Sequence, residues 1–201
     1  MPVKMGSGNV HAAIEVTRFL SRNSVDLAIS YGPAGYLEDS IATGEIFLID
    51  SIVAYQKGTI GPLKEIKRHE RLDFASDPEW QFFTKAFPVC GKRKILSSGE
   101  AFIQSSSFRD ELRRSTGAAL VDMNGYGVSK ACQTLQVPLI LFRVASDPAD
   151  DEAGSAFRQF TEEHDSAAFL VKLLNFVAVM PSNPNRIRSY PNLKKVMESG
   201  R

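Results

Sequence analysis

Val137-Pro-Leu-Ile-Leu-Phe-Arg143-Val-Ala-Ser-Asp147-Pro-Ala-Asp150 is the stretch on which the fold turns. No polar side chain interrupts it between Val137 and Phe142. That is the pattern of a strand covered on both faces, as parallel strands in α/β proteins are. A parallel strand over 137–144 is expected, running into a loop dense with carboxylates. Ligands of open α/β sheets bind beyond the carboxyl ends of the strands. Asp147 falls there, with Arg143 four residues earlier and Ser146 beside it. Taken alone, an Asp in a Ser-Asp-Pro context is a turn or capping residue. The rest of the chain argues for more.

Outward from this stretch, strand and helix signals alternate. A strand over 118–123 precedes Asn124-Gly-Tyr-Gly127, which opens a helix reaching Leu135; residues 155–180 read as mostly helix, apolar almost all round in the second half. Upstream, Gly6-Ser-Gly-Asn9 opens a helix, with Ser7 or Asn9 as candidate N-caps. A short strand over 26–30 is expected to end in a turn at Tyr31-Gly-Pro-Ala-Gly35, because glycine permits tight turns or close backbone approach. Residues 44–55 read as a long strand and 94–97 as another, with 98–103 a loop. Ser107 with Asp110 suggests a capping box for a helix over 108–114. Residues 56–88 are the least regular, a solvated surface segment anchored by aromatics. The tail from about 181 is expected to be irregular. The alternation indicates a single α/β domain over 1–201, three layers deep.

Composition narrows the function classes. The chain has 201 residues, 43% hydrophobic and 23% charged, with a formal net charge of +1. That is ordinary for a globular chain and offers no electrostatic case for nucleic acid or an anionic membrane. The longest apolar segment, 167–180, is interrupted by Lys172 and Asn175 and is too short for a bilayer. Cys90 and Cys132 stand far apart, without metal-ligand spacing, so neither a disulfide framework nor a zinc site is expected, and a cytoplasmic setting is. There is no Gly-x-Ser-x-Gly elbow or P-loop. His11, His69 and His164 are scattered. The carboxylates Asp147, Asp150, Asp151 and Glu152 read as a solvated loop rather than a metal site. No metal or cofactor is expected.

Five pieces in order carry a resemblance: Ser30-Tyr-Gly-Pro-Ala-Gly35, Gly44-Glu-Ile, Ser98-Gly-Glu-Ala-Phe-Ile103, Val121-Asp-Met-Asn-Gly125 and Arg143-Val-Ala-Ser-Asp147-Pro-Ala-Asp150. Over roughly residues 5–177 the chain resembles the purine nucleoside phosphorylase and uridine phosphorylase superfamily, and within it the methylthioadenosine/S-adenosylhomocysteine nucleosidases. The resemblance implies a three-layer α/β/α fold with a twisted mixed sheet and a nucleoside at the strand ends. It also implies roles. Asp147 matches the acid that protonates purine N7, and Ser146 the residue positioning it. Arg143 matches an arginine organising the nucleophile's surroundings. Phe102 matches the residue lying against the base, and Ile103 the one whose backbone meets the adenine edge. Met123 and Asn124 match ribose contacts, while Ala34 and Gly35 complete the substrate-binding set.

The departures are equally specific. Asn124 stands where the family usually has a glutamate gripping the ribose hydroxyls, and Pro33 where a small hydroxyl residue is common. The family's first strand, and a water-orienting glutamate after it, lie upstream of the part matching 3–8. The sheet would then lack a strand, leaving an exposed edge open to cover by another subunit, and a homodimer is expected. Phosphorylases of this superfamily commonly hold phosphate with an arginine where Ser30 stands. The sequence therefore leads to a purine nucleoside N-ribosyl hydrolase. The alternative is a non-catalytic nucleoside- or nucleotide-binding relative or subunit partner, with a phosphorylase third.

Overall fold

In the computed structural model, residues 6–57, 69–85, 92–164 and 171 are described. The chain divides into two compact units, Met1–Asp165 and Ser166–Arg201. The first holds every element below. The expected helix over 165–180, Val171 apart, and the irregular tail lie outside the described residues.

The opening stretch forms β6 (Leu139–Asp147), each of its residues buried. It runs parallel to β1 (Ala28–Tyr36), in register from Ala28 against Leu139 to Ala34 against Ala145. The strand ends later than expected, at Asp147 rather than 144. The reason is a bulge: Gly35 pairs with Asp147, leaving Ser146 as the extra residue. Bulges bend a strand and re-aim side chains, and are common beside active sites. β1 corrects a second expectation. Tyr31-Gly-Pro-Ala-Gly35 is strand, not turn, because pairing with β6 continues through it. Pro33, which cannot donate to a ladder, stands before the point where β5 joins β1, at Gly35 and Tyr36.

The other strands are β2 (Ile46–Ala54), β3 (Glu70–Asp73), β4 (Arg93–Ser98) and β5 (Leu120–Asp122). Their order is β3-β2-β4-β5-β1-β6, and β2 also pairs antiparallel with β6. The sheet is mixed and curls until β2, β4, β5, β1 and β6 form a closed circuit. The covering helices are α1 (Asn9–Leu20), α2 (Pro78–Lys85), α3 (Ser106–Thr116), α4 (Gly125–Thr134) and α5 (Ala153–Glu163). A core including Phe47, Ile49, Ile52, Leu96, Leu120 and Leu141 fills the body. β3 and α2 occupy part of the stretch expected to be irregular; Trp80 is buried there, with the Arg93 guanidinium over its ring at 5.0 Å.

Two expected caps also change. The N-cap of α3 is Ser105, whose Oγ accepts from Phe108 N; Asp110 instead accepts from Arg109 Nε. At α1 neither Ser7 nor Asn9 caps: Gly8 holds that position at φ 99°. Asn9 is used elsewhere. Its Oδ1 accepts from Gly127 N at 2.9 Å and Ser98 Oγ at 3.0 Å, and its Nδ2 donates to Gly99 O at 3.1 Å. At α4 the unsatisfied N–H groups that begin any helix are thus met partly from afar. Gly125 N donates to Asp122 Oδ2, Tyr126 N to Ser98 Oγ and Gly127 N to Asn9 Oδ1.

This clamp demands a glycine at 127, where an added Cβ would lie 2.0 Å from Asn9 O, a backbone atom. Alanine in a helix gains about 1 kcal/mol over glycine, while overpacking costs about 1–3 kcal/mol or more. Gly127→Ala is expected to be destabilised in urea unfolding, by up to about 2 kcal/mol net. Gly32→Ala, whose Cβ would meet nothing within 4 Å, serves as the control and should stay near wild type. Equal stability of both variants would refute the clamp.

Candidate active site

The C-terminal ends of β1, β5 and β6 converge with the loop after β4 around a cavity of about 110 Å³. Ala34, Gly35, Ser146 and Asp147 form one side, Met123, Asn124 and Asp122 another, and Phe102, Ile103 and Phe157 a third. Typical small-molecule pockets measure about 300–1,000 Å³, so part of a ligand would remain at the mouth. Phe102 stands at that mouth, 40% exposed and edge-on to Phe157 with centroids 5.6 Å apart. Ile103 is buried behind it.

Asp147 is 1% exposed. Ser146 Oγ donates to its Oδ2 at 2.7 Å and Ala149 N to its Oδ1 at 3.2 Å. Burial raises its pKa from the ordinary aspartate value, the two hydrogen bonds pull the other way, and the charge of Asp150 adds to the rise. Its surroundings are shaped to fit. Ala149 sits in the left-handed region at φ 51°, a conformation costing a non-glycine residue about 1–2 kcal/mol. There its N–H turns back to the carboxylate. A Cβ on Gly35 would lie 3.0 Å from Asp147 Oδ1 and 3.1 Å from Ala149 Cβ, so glycine lets β1 approach this closely.

Arg143 is not among the residues lining the cavity. It lies behind the wall, 1% exposed. Its Nε and Nη2 each reach Asp122 Oδ2 at 2.8 Å. Nη1 donates to Ser30 Oγ at 3.3 Å, and Nη2 to Asn124 Oδ1 at 3.1 Å. Of the nine residues singled out from sequence, the other eight line the cavity. Sequence reasoning missed Asp122, although a charged residue ending an apolar strand was a signal. It missed Ser7, Ala101, Val121, Ala149 and Phe157 as lining residues too. For Phe157 no signal existed, since only packing brings α5 against the Phe102 loop.

A larger cavity, about 330 Å³, opens where β6 begins, lined by Asp73, Trp80, Cys132, Gln133 and Gln136 among others. Its Cys132 is buried, which pushes the thiol up to about 12 and leaves it unreactive at neutral pH. Chemistry favours the smaller cavity, which holds a buried acid at the strand ends. Among the described residues no cluster of His, Cys, Asp and Glu could hold a metal ion, and no helix is long and apolar enough to cross a membrane. His164 Nε2 bonds Tyr31 Oη at 2.8 Å and its ring stacks on Phe160; none of the histidines lines the cavity.

Comparison with known proteins agrees with this geometry. The chain is 27% identical over 174 residues to a 5'-methylthioadenosine/S-adenosylhomocysteine nucleosidase of Staphylococcus saprophyticus, covering 79% of this chain and 72% of that protein. It is 25% identical over 165 residues to the Staphylococcus aureus enzyme of the same name, with the same coverage. In structure it resembles the Streptococcus pneumoniae MTA/SAH nucleosidase in complex with 8-aminoadenine, with TM-score 0.73, 22% identity and coverage of 89% and 80%. Futalosine hydrolase of Helicobacter pylori gives TM-score 0.70 at 23% identity, covering 87% and 77%. The fold is nucleoside phosphorylase-like. Because the Phosphorylase superfamily pattern matches residues 3–178, the chain belongs to that superfamily.

Proposed function

We propose that this chain is a purine nucleoside N-ribosyl hydrolase, acting on a methylthioadenosine-like substrate. One observation carries the reading. Asp147 is a fully buried carboxyl, biased toward its protonated form, in a cavity with an aromatic side chain at its mouth. Breaking an N-glycosidic bond leaves a cationic sugar and pushes the bonding electrons onto the purine, a poor leaving group as an anion. Asp147 gives its proton to N7 as the bond to N9 breaks. Water adds at the anomeric carbon and loses a proton to solvent, and Asp147 is then reprotonated.

The other residues follow from their places. Ser146 positions the acid. Phe102 covers the base, and the Ile103 backbone meets its edge. Ala34 and Gly35 let the ligand approach β1 closely, and Met123 and Asn124 face the ribose. Arg143 positions Asn124 from behind. No metal or cofactor enters the scheme. The same reading takes the chain as one nucleoside-binding domain and as a cytoplasmic homodimer. Val10 and Ile14, one turn apart on α1 and 66% and 51% exposed, supply apolar surface for such a dimer.

A second reading, a non-catalytic nucleoside-binding relative, is favoured by one feature. Asn124 is neutral, and the charges of Arg143 and Asp122 beside it cancel, so this pair offers a sugar cation no net negative charge. The same cancellation argues against a phosphorylase. Arg143 does reach Ser30, but its charge is already matched by Asp122, and phosphate binding wants a free bidentate arginine.

Adenine release from methylthioadenosine should proceed without phosphate and yield the free sugar. A rate that requires millimolar phosphate and yields a sugar 1-phosphate would overturn hydrolysis.

Asp147→Asn keeps shape but removes the transferable proton, and should lower single-turnover adenine release by about 10²- to 10⁴-fold. Nucleoside binding should persist. Because the acid must be protonated and burial raises its pKa, wild-type kcat/KM should hold at low pH and fall as pH rises through that raised value. The variant should lack this limb. The same sign applies to stability: the contribution of Asp147 is full below its unfolded pKa and is lost as pH rises through the folded one. Wild-type turnover that survives the substitution would remove Asp147 as the acid; no turnover in either protein would favour the binding protein.

A further inference from the structure

The loop after β6 carries Asp150, Asp151 and Glu152, and the reaction drawn for Asp147 uses none of them. Each has a place in the fold. Asp151 Oδ2 accepts from Ser106 Oγ, which ties the loop to the start of α3. Glu152 Oε2 accepts from Ser155 Oγ in the first turn of α5. Asp150 is pinned at two atoms: its Oδ1 accepts from Glu152 N at 2.9 Å and its backbone oxygen from Ala153 N at 3.0 Å. Held so, it is kept beside Asp147, three residues before it. Its Oδ2 is left to the guanidinium of Arg109, on α3.

The two arginines of this region treat their carboxylates differently. Arg143 reaches Asp122 Oδ2 at 2.8 Å through two nitrogens, so those charges cancel. Arg109 is divided among three. Its Nε donates to Asp110 Oδ1 at 3.1 Å, while Nη1 stands 3.5 Å from Asp39 Oδ1 and 4.0 Å from Asp150 Oδ2. One positive charge set against three negative ones leaves Asp150 only partly neutralised. Glu100, on the loop before Phe102, is turned to Val10 N. After burial, the charge of Asp150 is what favours a protonated Asp147. A like charge disfavours ionisation of a carboxyl, and a cation shared with that charge weakens the effect.

We infer that Asp150 and Arg109 are positioning residues that set how firmly Asp147 holds its proton, Asp150 by an incompletely cancelled charge and Arg109, from another helix, through Asp150. Dividing the guanidinium is the adjusting device. Full pairing would let Asp147 ionise more readily and lose the proton it donates. No pairing would hold the proton more tightly and slow its transfer. This rests on reading Asp147 as the acid, and adds what its acidity depends on.

Two measurements test it. The side-chain carboxyl of Asp147 is titrated by carbon-13 NMR in the unliganded protein, its signal assigned by its loss in Asp147→Asn. Separately, kcat/KM for adenine release from methylthioadenosine is followed against pH. Both are done for wild type, Asp150→Asn, Arg109→Gln, the double variant and Arg109→Lys. Asparagine at 150 keeps an oxygen for Glu152 N, so the turn into α5 stays. A close like charge moves a carboxyl by about 1–3 pH units, and the partial exposure of Asp150 reduces this. Asp150→Asn should therefore move the Asp147 titration, and the alkaline fall of kcat/KM, down by about 0.3–1 pH unit. Arg109→Gln should move both up, and Arg109→Lys, which keeps the charge, should return them toward wild type. Because Arg109 works through Asp150, the double variant should match Asp150→Asn alone. A merely structural role would lower the height of the profile or the melting temperature and leave the pH of the fall where it was. An unmoved titration in Asp150→Asn, or a double variant displaced from it by the full Arg109 effect, would overturn the inference. Titrations that move as stated in a protein without turnover would support it and remove the hydrolase reading instead.

Discussion

The buried ion pair between Arg143 and Asp122 is the contact on which the rest of the site depends. Both side chains are almost wholly excluded from water, and Arg143 reaches Asp122 Oδ2 through two nitrogens. Such a pair adds little net stability, because desolvation offsets the attraction. Losing one partner, however, costs about 3–5 kcal/mol, since a lone charge is left buried. Its contribution is positional. Asp122 Oδ2 also takes Gly125 N, setting where α4 begins, and Arg143 Nη2 holds the carbonyl oxygen of Asn124. One guanidinium thereby joins β6, β5, β1 and the start of α4.

Asp147 depends on a different kind of constraint. The bulge at Ser146, the close approach of Gly35 and the left-handed Ala149 act together. They place a carboxyl where water is excluded while giving it two donors. Burial and hydrogen bonding oppose one another, and burial wins. The net shift is in the direction that favours the protonated carboxyl. The left-handed residue and the desolvated carboxyl sit side by side at the cavity wall.

The fold supplies the surroundings in which both arrangements hold. Pairing of β2 with β6 closes the strands into a circuit, so the strand bearing Arg143 and Asp147 has neighbours on both sides. Near its end β2 departs, its last links being Gly44 N to Ala145 O and Ala145 N to Glu45 O. Beyond Ala145 its ladder partner among the described residues is β1, and its end lines the cavity. The Asn9 clamp then fixes α1 and α4 over the opposite wall.

By itself the sequence determined the strand at the centre and the residues at its end. An uninterrupted apolar run is readable because burial on both faces leaves a local mark. Ala34, Gly35, Phe102, Ile103, Met123, Asn124, Ser146 and Asp147 could be singled out because five short pieces in order resemble the superfamily, and all eight line the cavity. The tertiary structure decided what depends on partners distant in the chain. The bulge at Ser146 exists only through its register with β1. Tyr31-Gly-Pro-Ala-Gly35 has turn composition, yet pairing with β6 holds it extended. Asn9 looked like a cap until Gly127 and Ser98, about a hundred residues away, competed for its amide. Arg143 was marked for the site and became its support, because the carboxylate it neutralises lies on another strand. Local composition sets which conformations are cheap, and long-range hydrogen bonds and buried charges choose among them.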